Sequence, residues 1–169
     1  MLEKFRLFTR NVKRPRIRKG EVAVDDLEFL NRAQMDFGIN LIYYPGAGVD
    51  RSLLRSFMAS QVVHLDKRDL SYNPYFNNMG IAVQGDFYQP PFRDGVFDAA
   101  FIKDIHLQRR DIGNVTRVVR EQGILILSFN DCVGGDIDDY RYLRETPNLR
   151  EARPGYFNKD LVLFQKIKS

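Results

Sequence analysis

Apolar residues along the chain fall into two arrangements: short runs that are apolar at nearly every position, and longer stretches in which they return every three or four residues. Ile39 to Tyr44, Gln61 to Asp66, Ile81 to Asp86, Val96 to Asp104 and Gly123 to Phe129 are runs of the first kind. Their length suits strands buried on both faces, as in a parallel sheet covered by helices. Leu27, Leu30, Ala33, Met35 and Phe37 keep a helical spacing behind Asp25, a capping residue, and Gly38 supplies a stop. Val49 to Ala59 gathers Leu53, Leu54, Phe57 and Met58 on one helical face, and Ile112, Val115, Val118 and Val119 share another, with Gly123 read as its terminator. Beyond Asn130 a helix is expected around Asp136 to Glu145, then a short segment over Leu149 to Arg153, the turn Pro154-Gly155 and a strand from Leu161 to Ile167. Alternating strands and helices predict an α/β fold, a three-layer α-β-α sandwich on a mostly parallel, doubly wound sheet with an antiparallel C-terminal strand.

Composition adds one domain and an unusual end. The 169 residues, 44% apolar and 12% aromatic, suffice for a single core. Net charge is +4, yet eight basic residues fall between Lys4 and Lys19 with no acid among them, leaving 18 basic against 22 acidic elsewhere. The chain therefore divides into a basic N-terminal arm, residues 1–19, and one domain over residues 20–169. Such an arm can hold a nucleic acid through its phosphates, or it can simply be solvated. No apolar run approaches the roughly 18 residues of a membrane helix, and the charged N-terminus leaves no apolar middle for a signal peptide, so no membrane partner and a cytoplasmic location are expected. Cys132 is the lone cysteine and His64 and His106 are the only histidines, which argues against a disulfide and a metal site.

Candidate chemistry gathers at the strand ends, where open α/β sheets bind their ligands. The first strand runs into Tyr43-Tyr44-Pro45-Gly46-Ala47-Gly48-Val49-Asp50, whose glycines allow a sharp turn and close approach of backbone to ligand. Taken alone, a Gly-x-Gly turn also serves plain strand-to-helix packing. Asp66 ends the second strand 18 residues after Gly48, near the spacing at which an acid accepts hydrogen bonds from a ribose diol. Gly85-Asp86-Phe87 ends the third, where an acid and a ring can meet the edge and face of a heterocycle, and the stiff loop Gln89-Pro90-Pro91-Phe92 follows. The fourth, Phe97-Asp98-Ala99-Ala100-Phe101-Ile102-Lys103-Asp104, closes on polar groups at the same rim. A nicotinamide site would need a glycine where Arg51 stands.

This order of glycine turn, acid, Gly-Asp-Phe, Pro-Phe and Phe-Asp-x-x-Phe resembles the class I, Rossmann-like S-adenosylmethionine-dependent methyltransferases, from Ile39 to about Asn130. The ending Asp160-Leu161-Val162-Leu163-Phe164-Gln165-Lys166 is similar to that family's last, antiparallel strand. The resemblance implies a seven-stranded sheet, S-adenosyl-L-methionine as cofactor and a methyl acceptor, a small molecule being favoured. It further implies that Tyr44, Pro45, Gly46, Ala47 and Gly48 pass the methionine part, that Asp66 with Lys67 holds the ribose, that Asp86 and Phe87 hold the adenine, and that Lys103 and Asp104 lie near the methionine end. His106, just past the fourth strand, is the candidate catalytic base, since its unperturbed pKa near 6.5 suits proton removal at neutral pH. Tyr44 and Pro45 stand where the family carries an acid. That departure motivates the alternative of a binding or interaction module that has lost methyl transfer, associated with nucleic acid through its arm.

Overall fold

The computed structural model describes residues 24–46, 61–69, 80–103, 105, 107–128, 136–152, 157–158 and 161–168. The basic arm, the helix expected over Val49 to Ala59 and Cys132 lie outside the described residues. Helix α1 (Val24–Phe37) stops as its sequence indicates: Gly38 takes a φ of 61°, and the Ile39 amide reaches back to the Gln34 carbonyl at 3.0 Å. Strands β1 (Leu41–Pro45), β2 (Gln61–Asp66), β3 (Ile81–Gln84) and β4 (Phe97–Ile102) follow. Helix α2 (Arg109–Val118) runs straight into β5 (Val119–Ser128), and α3 (Asp136–Glu145) precedes β6 (Leu149–Glu151), β7 (Phe157–Asn158) and β8 (Leu161–Lys166).

Strand order is β3-β2-β1-β4-β5-β8-β6, with β7 also on β8. β1 to β5 pair in parallel, whereas β8 runs antiparallel to β5, from Ile124 opposite Gln165 to Ser128 opposite Leu161. β6 lies against Phe164 to Lys166 and β7 against Leu161 and Val162. Because β5 covers one edge of β8, the two short strands share the other, and eight segments fill seven positions. The expected doubly wound sheet with its antiparallel late strand is what the chain forms.

Alternation along the central strands divides the core in two. Tyr43, Ala100, Ile102, Leu125, Leu127, Val162 and Phe164 face α2 and α3, meeting Ile112, Val115, Val118 and Leu143. Ile42, Tyr44, Ala99, Phe101, Ile124, Ile126, Leu161 and Leu163 face α1, meeting Leu30 and Ala33. Each large side chain so buried contributes roughly 1.5–3 kcal/mol, which outweighs the modest helix propensities of these segments. Among the described residues, no helix is long and apolar enough to cross a membrane, and no group of three or more His, Cys, Asp or Glu side chains is placed to hold a metal ion.

One expectation is corrected. Gly123 does not terminate α2, which ends at Val118; Val119 is already extended, with φ −84° and ψ 133°, and Gly123 lies inside β5. Between the pairs Phe97↔Val119 and Ala99↔Ile124 the register shifts, so β5 carries surplus residues as a bulge. Gln122 adopts a left-handed φ of 64° there. A Cβ on Gly123 would stand 2.6 Å from Val119 Cγ1, 2.7 Å from the Asp98 carbonyl oxygen and 2.8 Å from that of Arg120. The glycine is needed by a neighbouring strand, which a one-dimensional reading of the helix face does not contain.

Beside this bulge Asp98 ties the lower end of the sheet together. Its Oδ2 accepts the Asn40 and Leu41 amides, both at 2.9 Å, and its Oδ1 meets Arg120 Nε at 2.6 Å. Burial works to raise its pKa, but Arg120 and the two amides prevail and hold the carboxyl below its ordinary value. A carboxyl depressed in the folded state adds stability that is complete above about pH 4 and is lost as pH falls through the folded pKa. Asp98→Ala is expected to cost about 2 kcal/mol at pH 7. In urea melts across a pH series, its deficit against the unaltered protein should narrow below about pH 4.

Candidate functional site at the strand-end rim

Sequence order along the sheet reverses between β1 and β4, the point beyond whose carboxyl ends open parallel sheets bind their ligands in a crevice. Gly46 stands at that point. A φ of 63° turns the chain away from β1, and its amide donates to the Leu65 carbonyl at 2.7 Å. A Cβ on Gly46 would collide with Cγ2 of Ile105, which follows β4 on the far side of the crevice. Only glycine meets both the backbone angle and this approach.

One strand further, Asp66 is almost enclosed, with 10% of its side chain exposed. Arg68 folds back over it: its amide and Nε donate to Oδ1 at 2.9 and 3.1 Å, and Nη2 reaches Oδ2 at 3.4 Å. The hydrogen bond and charge of Asp66 raise the Arg68 pKa further above its usual value. Gly85 links the next strand end, its amide donating to the Asp66 carbonyl at 2.9 Å, and a Cβ there would lie 2.9 Å from Leu65 Cδ1. Asp86 then accepts the Tyr88 amide on Oδ1 at 3.0 Å and pairs with Lys67 Nζ through Oδ2 at 3.2 Å. The Tyr88 amide leads and Lys67 assists in holding the Asp86 carboxyl below its ordinary range. Lys67 also lies 5.4 Å above the Tyr88 ring, whose centroid is 4.1 Å from that of Phe87.

Two acids and two bases thus balance along adjacent strand ends. Such a rim presents carboxylate oxygens to neutral donors such as hydroxyls and amines without demanding a charged ligand. Asp66 directs its carboxylate to the end of β2, and Asp86 sits beside the Phe87 and Tyr88 rings. Two carboxylates and an aromatic pair thus share one rim, and at Gly46 the space a side chain would fill is taken by Ile105.

The other anticipated residues distribute unevenly. Tyr44 turns its ring into the α1-side core against His64 and Phe101, with centroids 5.5 and 5.3 Å away, so only its main chain reaches toward the rim. Pro45 closes β1 and is buried. Lys103 is buried just past β4. Ala47, Gly48, Asp104 and His106 lie outside the described residues. Arg68 was not anticipated; two bases directly behind a strand-ending acid were the available signal. On the opposite face Tyr43 is wholly buried, stacked on Phe97 at 5.2 Å and met edge-on by Phe92 at 5.6 Å. Burial drives its pKa well above the usual phenol value, and its hydroxyl has no hydrogen-bond partner among the described residues.

A sheet of this order, with its antiparallel strand inserted late and its acids on consecutive strand ends, defines the fold of the class I, Rossmann-like methyltransferases. Solved structures agree. The chain is similar to the O-methyltransferase from Bacillus cereus in complex with SAH, at TM-score 0.65 and 16% identity over 89% of this chain and 84% of that one. It is likewise similar to the Burkholderia thailandensis 1,6-didemethyltoxoflavin-N1-methyltransferase, solved with 1,6-didemethyltoxoflavin and S-adenosylhomocysteine, at TM-score 0.61 and 12% identity over 84% and 78%. A SAM-dependent methyltransferase from Aquifex aeolicus gives TM-score 0.59 and 13% identity over 85% and 93%. No protein-family model and no curated protein matches the sequence.

Proposed function

We propose that this chain binds S-adenosylmethionine at the β1–β4 rim and transfers its methyl group to a small-molecule acceptor. The observation that carries the reading is the succession of Gly46, Asp66 and Asp86 on three neighbouring strand ends, in a fold whose structural neighbours include two S-adenosylhomocysteine complexes. Asp66 accepts from the ribose hydroxyls, Asp86 from the adenine amine, and Phe87 packs on the ring. Gly46, Ala47 and Gly48, together with Lys103 and Asp104, are assigned to the methionine side of the ligand. When bound, the cofactor supplies a methyl group activated on a sulfonium. Alignment and exclusion of water are then the protein's main tasks, with a base needed only for an acceptor that carries a proton. A crystal structure with S-adenosylhomocysteine tests the reading: the nucleoside should span Asp66 and Asp86, and a ligand seated elsewhere would reject it.

His106 is assigned the proton-removing role, because it follows β4 where an acceptor enters the crevice. His106→Ala is expected to slow methyl transfer by about 100-fold or more while S-adenosylhomocysteine affinity stays unchanged. Equal turnover in the variant would remove the histidine from the reaction.

A further inference from the structure

Loop residues 88–95 carry Asp86 and Phe87 into the rim, yet they contain no helix or strand to hold them. Their support comes from α2. Asn114 Nδ2 donates to the Tyr88 carbonyl. One turn later, Arg117 donates from Nη2 to the Pro90 carbonyl at 3.0 Å and from Nη1 to the Phe92 carbonyl at 2.9 Å, and pairs with Asp94 Oδ1 at 2.5 Å. The Gly95 amide returns a bond to the Arg117 carbonyl at 3.0 Å. Alternate loop carbonyls, at 88, 90 and 92, are therefore taken by two side chains three positions apart on one helix face.

From within, Phe92 packs edge-on against Phe97 at 4.9 Å and against Tyr43, so the loop is held on both sides. Its first residues turn on Asp86 itself, whose carbonyl accepts the Gln89 amide at 3.0 Å and whose Oδ1 accepts the Tyr88 amide. Moving Tyr88 withdraws the amide that fixes Oδ1 and leaves the Asp86 carboxylate to its pairing with the exposed Lys67 side chain. A planar guanidinium reaching two carbonyls and a carboxylate fixes both the position and the rotation of the loop, which a point charge does not.

We propose that Arg117 and Asn114 are positioning residues for purine recognition: by fixing the Tyr88–Gly95 loop from α2, they aim the Asp86 carboxylate at the ligand's 6-amino group. The inference rests on the cofactor reading above. It makes a prediction about selectivity rather than stability, since loss of the clamp should remove the contact to one ligand group.

The test measures binding of S-adenosylhomocysteine and of its analogue bearing hydrogen in place of the 6-amino group, by calorimetry well below each variant's melting temperature. The unaltered protein should prefer the amino ligand by about 10-fold, the value of one hydrogen bond to a charged acceptor. Arg117→Met should bind S-adenosylhomocysteine about 10-fold more weakly and the analogue almost unchanged, so that the preference collapses toward one. Asn114→Ala should move the same ratio in the same direction, and decides the matter if Arg117→Met does not fold. An undiminished preference in these variants, or equal losses for both ligands, overturns the inference while leaving the cofactor reading intact. Binding of neither ligand by the unaltered protein rejects the cofactor reading and this inference with it.

Discussion

Asp66→Ala should weaken S-adenosylhomocysteine binding by about 100-fold. Two hydroxyl donors meeting one ionised carboxylate are worth about 1.5 kcal/mol each, and 3 kcal/mol corresponds to roughly that factor. The fold should tolerate the change. Arg68, which pairs with Asp66, has 71% of its side chain exposed and can return to water when the acid is removed. Asp66→Asn keeps an acceptor while losing the charge, and an intermediate loss of about 10-fold is expected. Calorimetry on the two variants reads these factors directly. Unchanged affinity in Asp66→Ala would place the nucleoside away from β2.

Gly123→Ala is the substitution expected to harm the fold most, by about 3 kcal/mol. Its added methyl would meet two backbone oxygens and Val119 at 2.6 to 2.8 Å. Neither oxygen can rotate away, since one belongs to β4 and the other to the bulge itself. The same replacement at Gly113, in α2, meets nothing within 4 Å. There the gain in helix propensity should stabilise the protein by about 0.5–1 kcal/mol. Thermal or urea melts of the pair therefore separate a glycine required by packing from one that is not. Equal stability of Gly123→Ala and the unaltered chain would mean that the bulge does not have this form.

Much of this architecture is legible along the chain because apolar period and burial coincide. β2 and α3 begin and end at the residues their patterns indicate, Gln61 to Asp66 and Asp136 to Glu145. β3 and β4 are shorter than their apolar runs suggest. At β3 the reason is local: the Gly85 amide makes the last bond to β2, at the Asp66 carbonyl, and the Asp86 side chain then bonds the Tyr88 amide in a turn, so the chain leaves the sheet at Asp86. Asp66 and Asp86 could be picked out as a pair because acids that end consecutive parallel strands lie on one rim.

What stayed hidden depends on partners far apart in sequence. Asp98 reads as part of a strand motif, but in space it anchors the start of β1, 57 and 58 positions earlier, through two backbone amides. Tyr44 reads as a rim residue and its ring belongs to the core, because the pleat of β1 sends Tyr43 and Tyr44 to opposite faces. Arg117 looks like an ordinary charge in a helix's last turn until the loop it holds is folded against it.

The central claim is that the rim holds an adenosyl ligand, and titration calorimetry of the unaltered chain with S-adenosylhomocysteine tests it most directly. The chain should show saturable one-to-one binding with a dissociation constant on the order of 10 μM or tighter, as expected of a nucleoside held by two carboxylates and a ring. Absence of heat at high micromolar ligand, with the protein folded by circular dichroism, would contradict it.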